Sequence, residues 1–370
     1  RPMELLDRAR ALAASLSAHT EAHDRACQLV PEVVTALRAG GFLQVLLPAE
    51  LGGHALAADA YVEVLATLAE GDAATAWCVM TASTSTLLAG YLARAEAEAL
   101  WRDEPPFLAG VFAPGGRATR DGDHVTLSGR WPYASGCRHA QWIAVGALLD
   151  EGAGPRHVVG FLPADDPALR IIDTWDTLGL RGTGSHDVVV DAARLAATRI
   201  TSVFERRPWI DGALARVPLF GLLAAGVAAC GLGIAAGAAA TAGAQLRAAR
   251  EAPGSSTLAR HGALLARLGA ARDHLIAAAA RAQRAAEAGP VEPAARGLLR
   301  LAAAHVAAEC VAVAREAFHL GGGAAVRVGH PLQRALRDAE MVLTHRMVAE
   351  KVVPAATRAV LGLGPVPPDL

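Results

Sequence analysis

The first 108 residues carry apolar side chains at intervals of three and four, which is the spacing of an amphipathic helix. The spacing is clearest in 32–39 and 58–70, and 73–101 is apolar over most of its length. Gly40-Gly41 and Gly52-Gly53 interrupt it, and glycines in such places end helices and form turns. This first block is therefore predicted to be helical.

The pattern changes between residues 110 and 207, where alanine becomes scarce, Val, Ile, Thr and Trp become more frequent, and short β-type runs replace the helical spacing. Asp121-Gly122-Asp123 precedes the first run and predicts a hairpin turn. Because no helical segment separates the runs, we expect an antiparallel sheet or a small barrel. The predicted strands are 124–127, 142–149, 157–162 and 186–190.

Long alanine-rich helical segments return after Pro208. They are interrupted by glycine and proline, which punctuate helices. The predicted fold class is α+β and mostly α, in three domains. These are an N-terminal helical domain (1–109), a central antiparallel β-sheet or barrel domain (110–207) and a C-terminal four-helix-type bundle (208–370).

One stretch, 217–246, runs for 30 residues without a charge, which is long enough to cross a bilayer. It consists mainly of Ala and Gly rather than the Leu, Ile and Phe that favour membrane insertion. A helix that is apolar on all sides also suits the centre of a soluble bundle. We prefer a buried helix at a subunit interface, where Gly233 and Gly237 would allow close approach, and expect no membrane association.

Composition narrows the class of protein. The chain has 370 residues, of which 53% are hydrophobic and 19% charged, and its formal net charge is −1. This balance excludes a disordered chain and argues against a nucleic-acid partner, which calls for a basic excess. The first ten residues are charged where a secretory signal would be apolar, and the five cysteines lack disulfide or zinc spacing. A cytoplasmic protein without a metal is expected.

Five segments, taken in order, resemble those of the acyl-CoA dehydrogenase superfamily over almost the whole chain. The first two match its opening helices and the loop and strand that line the flavin. The others match the end of its sheet and the region that reaches a neighbouring subunit's cofactor. They are 31–53, 112–131, 178–185, 318–322 and Arg337-Asp338. The resemblance implies that fold.

Two departures from the dehydrogenases bear on the chemistry. Their catalytic glutamate follows the Arg-Asp pair by about two helical turns, but that place holds His345 here, and Glu340 and Glu350 are each about one turn away. Their Arg-x-x-Phe-Gly segment, which helps to hold FAD, is missing from 245–254. With the segment 131–140, these departures resemble a sister branch, the two-component flavin-dependent monooxygenases.

This resemblance implies an oxidoreductase that uses O2 and reduced flavin, FMN or FAD, supplied by a separate NAD(P)H-dependent flavin reductase. A C4a-hydroperoxyflavin would oxygenate a small aromatic, amine or natural-product substrate in a homotetramer or homodimer. Two alternatives stay open. One is an FAD-dependent acyl-CoA or acyl-carrier-protein dehydrogenase or desaturase with a non-standard base, and the other is a non-catalytic helical scaffold.

The catalytic candidates are Ser135 and His345. A hydroxyl such as Ser135, on a strand beside the flavin, can hydrogen-bond to the ring without adding charge. Histidine suits a base that takes the substrate's proton, because its ordinary pKa is about 6.5. Asp338 lies seven residues before His345 and is expected on the same helix face. It either orients the local network or, with Arg337, ties helices together.

The resemblance also implies a set of flavin contacts. Trp131 and Tyr133 alternate along a strand and so are expected on one face, either in the core or on the flavin wall. Arg181 would pair with a cofactor phosphate or a surface carboxylate, and the 318–322 segment would reach a neighbour's flavin or simply end a helix. The predicted cofactor-binding residues are Trp131, Tyr133, Ser135, Gly136, Arg181, Phe318, Gly321, Gly322 and Asp338.

The substrate side departs from part of the branch. Some members place another histidine in the helix that corresponds to 77–85, whereas this chain has hydroxyls and a thiol there. An amine, indole or polyketide-like substrate therefore stays open beside a phenol.

Overall fold

Helices occupy both ends of the chain and strands its middle. The computed structural model describes residues 2–102, 104–152, 154–205 and 207–370; residues 1, 103, 153 and 206 of the predicted domains lie outside that description. The helices are α1 (Pro2–Leu16), α2 (Thr20–Ala26), α3 (Pro31–Ala39), α4 (Ala58–Gly71), α5 (Ala73–Thr86), α6 (Arg94–Trp101), α7 (Leu219–Ala248), α8 (Ser255–Ala288), α9 (Pro293–Leu320), α10 (Pro331–Thr344) and α11 (Val353–Leu361). The predicted helical blocks and their order are confirmed.

The middle of the chain forms one seven-stranded sheet in the order β5-β6-β2-β1-β3-β4-β7. Its four predicted strands and the hairpin turn are confirmed, since Asp121 pairs with His124 across that turn. The strands are β1 (Leu108–Asp121), β2 (His124–Ala134), β3 (Trp142–Asp150), β4 (Pro155–Pro163), β5 (Leu169–Ile172), β6 (His186–Ala196) and β7 (Ile200–Thr201).

The expectation of a wholly antiparallel sheet is wrong for one pair, because β1 and β3 are parallel. The chain reverses direction after β1 and again after β2, so β3 runs in the same direction as β1. A 3-10 turn at Cys137–His139 leads from β2 to β3, which then lies beside β1 instead of beside β2. The sheet is therefore mixed.

The N-terminal and C-terminal helices share one apolar core. α7 is its central helix and packs on α4 of the same chain. A Cβ added at Gly233 would overlap the Ala66 carbonyl oxygen and Ala69 Cβ, so glycine lets the two helices approach closely. This approach lies within one chain, whereas the sequence interpretation placed it between subunits. The division into three domains stays a prediction, and the helical core spans the first and the third.

Two helices, α7 and α9, are long and apolar enough to cross a membrane by length and composition. In their most apolar stretches, 78% of the α7 residues and 67% of the α9 residues are buried inside the protein. Burial to this extent is what the central helices of a bundle require.

The sheet has a second core of its own, with Trp131 fully buried in it. The Trp131 indole N–H donates to the Gly146 carbonyl at 2.6 Å. Its ring lies where Cβ atoms at Gly116 and Gly129 would be, so these two glycines make room for it. A cavity opens between this sheet core and the helical core.

Candidate active site

The cavity has a volume of about 790 Å3 and lies where α5, β1, β2 and the end of α10 meet. Aromatic rings form much of its wall, and its polar side chains are hydroxyl residues, two histidines, one arginine and one aspartate. The aromatic residues on the wall are Trp77, Phe112, Trp131, Tyr133, Trp175, Phe204 and Phe220. A largely apolar cavity with a few placed polar groups is typical of a small-molecule site.

An irregularity in β2 shapes one side of this cavity. The pairing of β2 with β6 shifts register between Trp131 and Ala134, and Tyr133 has a φ of 69°. Trp131 is consequently buried in the sheet core, whereas Tyr133 is 69% exposed and meets Trp175 edge-on. The expectation that Trp131 and Tyr133 share one face is wrong, because the bulge interrupts the alternation of a regular strand.

The same irregularity places Ser135 in a chain of hydrogen bonds along the wall. Trp77 Nε1 donates to Ser135 Oγ at 3.2 Å, and Ser135 Oγ lies 2.8 Å from Ser185 Oγ. Ser185 Oγ lies 2.7 Å from Thr183 Oγ1, which donates to the Leu180 carbonyl. Because each hydroxyl has a single proton, Ser185 donates to Thr183 and Ser135 donates to Ser185. The Ser135 hydroxyl can donate a hydrogen bond to a bound group when its proton rotates away from Ser185.

His345 lies on the same cavity wall, directly after the last residue of α10. It was expected on a helix face shared with Asp338, but α10 ends at Thr344 and His345 has an extended ψ of 131°. Its ring meets the Trp77 ring edge-on at 5.4 Å between centroids. Trp77 therefore contacts both predicted catalytic residues, Ser135 and His345.

The hydrogen bonding of His345 determines which ring nitrogen carries the proton. Burial, and after it the charges of Arg346 and Arg300, lower the pKa of His345 to about 4, so the ring is neutral near pH 7. The backbone N–H of Met347 donates to Nδ1 at 3.3 Å, which leaves the single ring proton on Nε2. In this arrangement His345 is a hydrogen-bond donor, and its role as a base stays a prediction.

Asp338 and Arg337 lie away from the cavity wall and tie α10 to the loop before β6. Asp338 Oδ1 accepts from the Leu180 N–H at 2.7 Å, and Arg337 donates to the Leu178 carbonyl at 2.7 Å. Burial raises the pKa of Asp338 to about 7, although the Leu180 hydrogen bond opposes the rise. The sequence left two roles open for Asp338, which were to orient the network around His345 or to tie helices together with Arg337. These contacts fit the second role.

The other predicted cofactor residues are placed outside the cavity wall of this single chain. Arg181 donates to the Asp176 carboxylate and to the Thr177 carbonyl. The sequence left a cofactor phosphate or a carboxylate open as its partner, and in this chain the partner is a carboxylate. Gly136 has a φ of 71° and packs on Phe107. The segment with Phe318, Gly321 and Gly322 ends α9. Its contact with a neighbour's flavin stays a prediction.

Sequence reasoning missed several wall residues. Trp77, Thr183 and Ser185 lie in segments that the family resemblance covers. Their residue types were therefore known from the sequence, but their hydrogen-bond partners were not. Asp369 lines the cavity far along the chain from the others, and no local pattern indicates it. Such residues are found only when the chain is folded.

The cavity fits a flat ring system such as a flavin. Tyr133 and Trp175 present aromatic surface, and Ser135 offers a hydroxyl from a buried strand end. On the described wall the formal charges at neutral pH, with histidine neutral, are Arg346 and Asp369, which pair with each other. An uncharged ring therefore meets aromatic faces and hydroxyls without burying an unpaired charge.

Comparisons with known proteins agree with this geometry. The acyl-CoA dehydrogenase N-terminal domain model matches residues 3–99 and the C-terminal domain model matches 225–350. The chain is 30% identical to an indole-3-acetate monooxygenase of Pseudomonas putida, over 93% of this chain and 90% of that one. It is 27% identical to a pigment production hydroxylase of Rhodococcus erythropolis, over 99% and 98%.

Solved structures show the same architecture. XiaF from Streptomyces sp., in complex with FADH2 and glycerol, superimposes with a TM-score of 0.91 at 25% identity, over 100% of this chain and 98% of that one. The HsaA monooxygenase from M. tuberculosis superimposes with a TM-score of 0.92 at 22% identity, over the full length of both chains, and shows the fold. The chain belongs to the acyl-CoA dehydrogenase superfamily and, within it, to the branch of flavin-dependent monooxygenases.

Proposed function

We propose that this enzyme is the oxygenase component of a two-component system. It receives reduced FMN or FAD from a separate NAD(P)H-dependent reductase and transfers one oxygen atom from O2 to a small aromatic, amine or natural-product substrate. When bound, the reduced flavin supplies the electrons that activate O2. The observation that carries the proposal is the juxtaposition of Ser135 and His345 around Trp77 on one wall of an aromatic cavity.

The side chains divide the work between positioning and proton control. Ser135 offers its hydroxyl to the flavin, and the Ser185–Thr183 chain holds that hydroxyl in place. His345 presents its Nε2 proton toward the cavity and orients an oxygen atom there. Aromatic walls exclude water, which limits the wasteful release of peroxide.

A dehydrogenase would need a different residue in the cavity. Removal of a proton next to a thioester requires a carboxylate, and the carboxylate on the described wall is Asp369, which is paired with Arg346. Asp338 is buried and its Oδ1 accepts from the Leu180 N–H. The wall therefore favours oxygen transfer over acyl-CoA oxidation.

The assembly and setting belong to the same proposal. We propose a cytoplasmic homotetramer or homodimer in which the end of α9, with Phe318, Gly321 and Gly322, reaches a neighbouring subunit's flavin. Arg181, Gly136 and Asp338 would then support the loop beside the flavin. Size measurement by light scattering, with and without flavin, tests the assembly.

One assay tests the function. Purified protein is mixed with reduced FMN or FAD without oxygen and then with oxygenated buffer, while flavin absorbance is followed. The expected result is a transient spectrum distinct from those of reduced and oxidised flavin, which lasts longer with the protein than without it. Added substrate should make the transient decay faster than it does with the protein alone. Reduction of bound flavin by an acyl-CoA, without such a transient, would overturn the proposal.

A further inference from the structure

The charged side chains on the cavity wall neutralise each other. Arg346 and Asp369 form an ion pair at 3.2 Å, with side-chain exposures of 55% and 38%. His345 is neutral, as its lowered pKa requires. His157 donates from Nε2 to the Phe112 carbonyl, and its Nδ1 is buried without a partner. The arginine on the described wall, Arg346, is thus paired with a carboxylate.

The Arg346–Asp369 pair is held in place by buried structure. Arg300 is 3% exposed and donates from one guanidinium nitrogen to the Asp369 carbonyl at 2.7 Å and from another to the Met347 carbonyl at 3.3 Å. Arg296 donates to the Leu370 carbonyl at 3.1 Å. These bonds fix the segment with Asp369 relative to the turn that carries His345 and Arg346. The ion pair is consequently part of the wall.

The α5 side of the cavity offers hydrogen-bond acceptors. Thr81 donates its hydroxyl proton to the Cys78 carbonyl, Thr84 to the Met80 carbonyl and Ser85 to the Thr81 carbonyl, at 3.2, 3.0 and 2.7 Å. Each hydroxyl has spent its only proton inside the helix and can only accept a further hydrogen bond. Thr84 and Ser85 are 1% and 0% exposed, so the partly exposed Thr81 is the acceptor that a ligand can reach. A carboxylate, which can only accept, has no partner in Thr81, and the His345 Nε2–H donor elsewhere on the wall is uncharged.

We propose that the cavity selects uncharged, flat substrates that carry an N–H or O–H donor, and discriminates against carboxylates. Asp369 is the specificity-determining residue, because it cancels the charge of Arg346. The donor group of the substrate lies against Thr81, and its ring packs between the aromatic walls. This inference rests on the proposed function, since it concerns the substrate of the flavin-loaded enzyme.

The test compares ligands that share a ring but carry either an uncharged amide, which has N–H donors, or a carboxylate, which has none. Indole-3-acetamide is paired with indole-3-acetate, and 2-naphthamide with 2-naphthoate, in equilibrium dialysis against enzyme loaded with reduced flavin under anaerobic conditions. The amide is expected to bind about tenfold more tightly than the carboxylate in at least one pair. Equal or tighter binding of the carboxylate in both pairs, or no binding of either amide, overturns the inference.

Substitutions assign the effect to Asp369. Asp369→Asn frees Arg346 and is expected to raise the affinity for the carboxylate about twofold to fivefold, as suits a partly exposed pair. The gain should vanish when Arg346→Gln is added to Asp369→Asn. The matched control Asp165→Asn, at an exposed position outside the cavity wall, should leave both affinities unchanged. No gain from Asp369→Asn overturns the role of that residue.

The oxygen-mixing assay separates the selectivity inference from the proposed function. If the transient flavin spectrum forms but amide and carboxylate bind alike, the selectivity inference fails and the monooxygenase proposal stands. If no transient forms with any substrate, the proposed function fails whichever ligand binds.

Discussion

Ser135 can donate only one proton, and in the structure that proton goes to Ser185. Ser135→Ala removes it and is expected to lower the fraction of flavin turnovers that give product by roughly tenfold, since a lost donor at a reacting centre costs at least this much. The ratio of product to hydrogen peroxide measures this coupling. Thr119→Ala, at an exposed position on β1, is the control. Unchanged coupling in Ser135→Ala would contradict the assigned contact.

His345 is the second residue with a defined proton. His345→Ala should lower product yield and raise uncoupled peroxide, whereas His345→Gln, which keeps a donor at the end of the side chain, should retain part of the yield. Because the pKa of His345 is about 4, its ring does not titrate near pH 6.5. Wild type should therefore show no step in product yield near pH 6.5 that the alanine variant lacks. Peroxide assays from pH 5.5 to 8 check both points. An alanine variant with wild-type rate and coupling would sink the assignment.

Which residues lie at the site was predictable where a motif indicated them, whereas the surroundings of each residue in the folded protein were not. Ser135 and His345 were both expected at the site, and both line the cavity. Tyr133 has an ordinary residue type for a strand, and nothing local indicates its positive φ. That φ arises because β2 must shift register to stay paired with β6, which is a tertiary constraint.

At the scale of elements, the approach of α7 to α4 depends on glycine. Gly233→Ala is expected to lower the free energy of unfolding by about 1–3 kcal/mol, since the new methyl group would overlap the α4 backbone. Gly262→Ala in α8 meets open space and should raise stability by roughly 0.5–1 kcal/mol. Urea unfolding of both variants measures the difference. Equal effects of the two substitutions would mean that the helices do not pack as described.

The order and the type of the helices and strands followed from the periodicity of the sequence. Which of them pack or pair with each other did not. The uncharged run was expected to form a buried helix, and α7 is that helix. The sequence of α7 does not show which helix packs against it, because a helix that is apolar on all sides has no single face that marks the direction of packing. The parallel β1–β3 pair escaped prediction for a related reason, since strand patterns give no information on which strands become neighbours.

At the scale of the molecule, Asp338 joins the C-terminal helices to the loop before β6. Its pKa of about 7 lies above the ordinary 3.8, so between these values the folded protein holds a proton that the unfolded chain releases. Stability from this group is present at low pH and is lost as pH rises toward 8. Wild type should therefore lose on the order of 1–3 kcal/mol more stability between pH 5 and 8 than Asp338→Asn does.

Urea unfolding of wild type and Asp338→Asn at pH 5, 6, 7 and 8 checks this prediction. The other titrating groups are common to both proteins and cancel in the difference. A difference that is constant across this range would show that Asp338 has the same pKa in the folded and unfolded chains.

By itself the sequence determined the succession of helices, strands and helices, the buried character of α7 and the replacement of a dehydrogenase's acid by His345. The first two follow from residue type and local spacing, which act between near neighbours in the chain, and the third follows from the family resemblance. Only the tertiary structure decided that Ser135 bonds to Ser185, that Trp77 contacts both Ser135 and His345, and that Asp369 cancels Arg346. These contacts join distant parts of the chain, and their partners are set by how the sheet and the helices pack around one cavity.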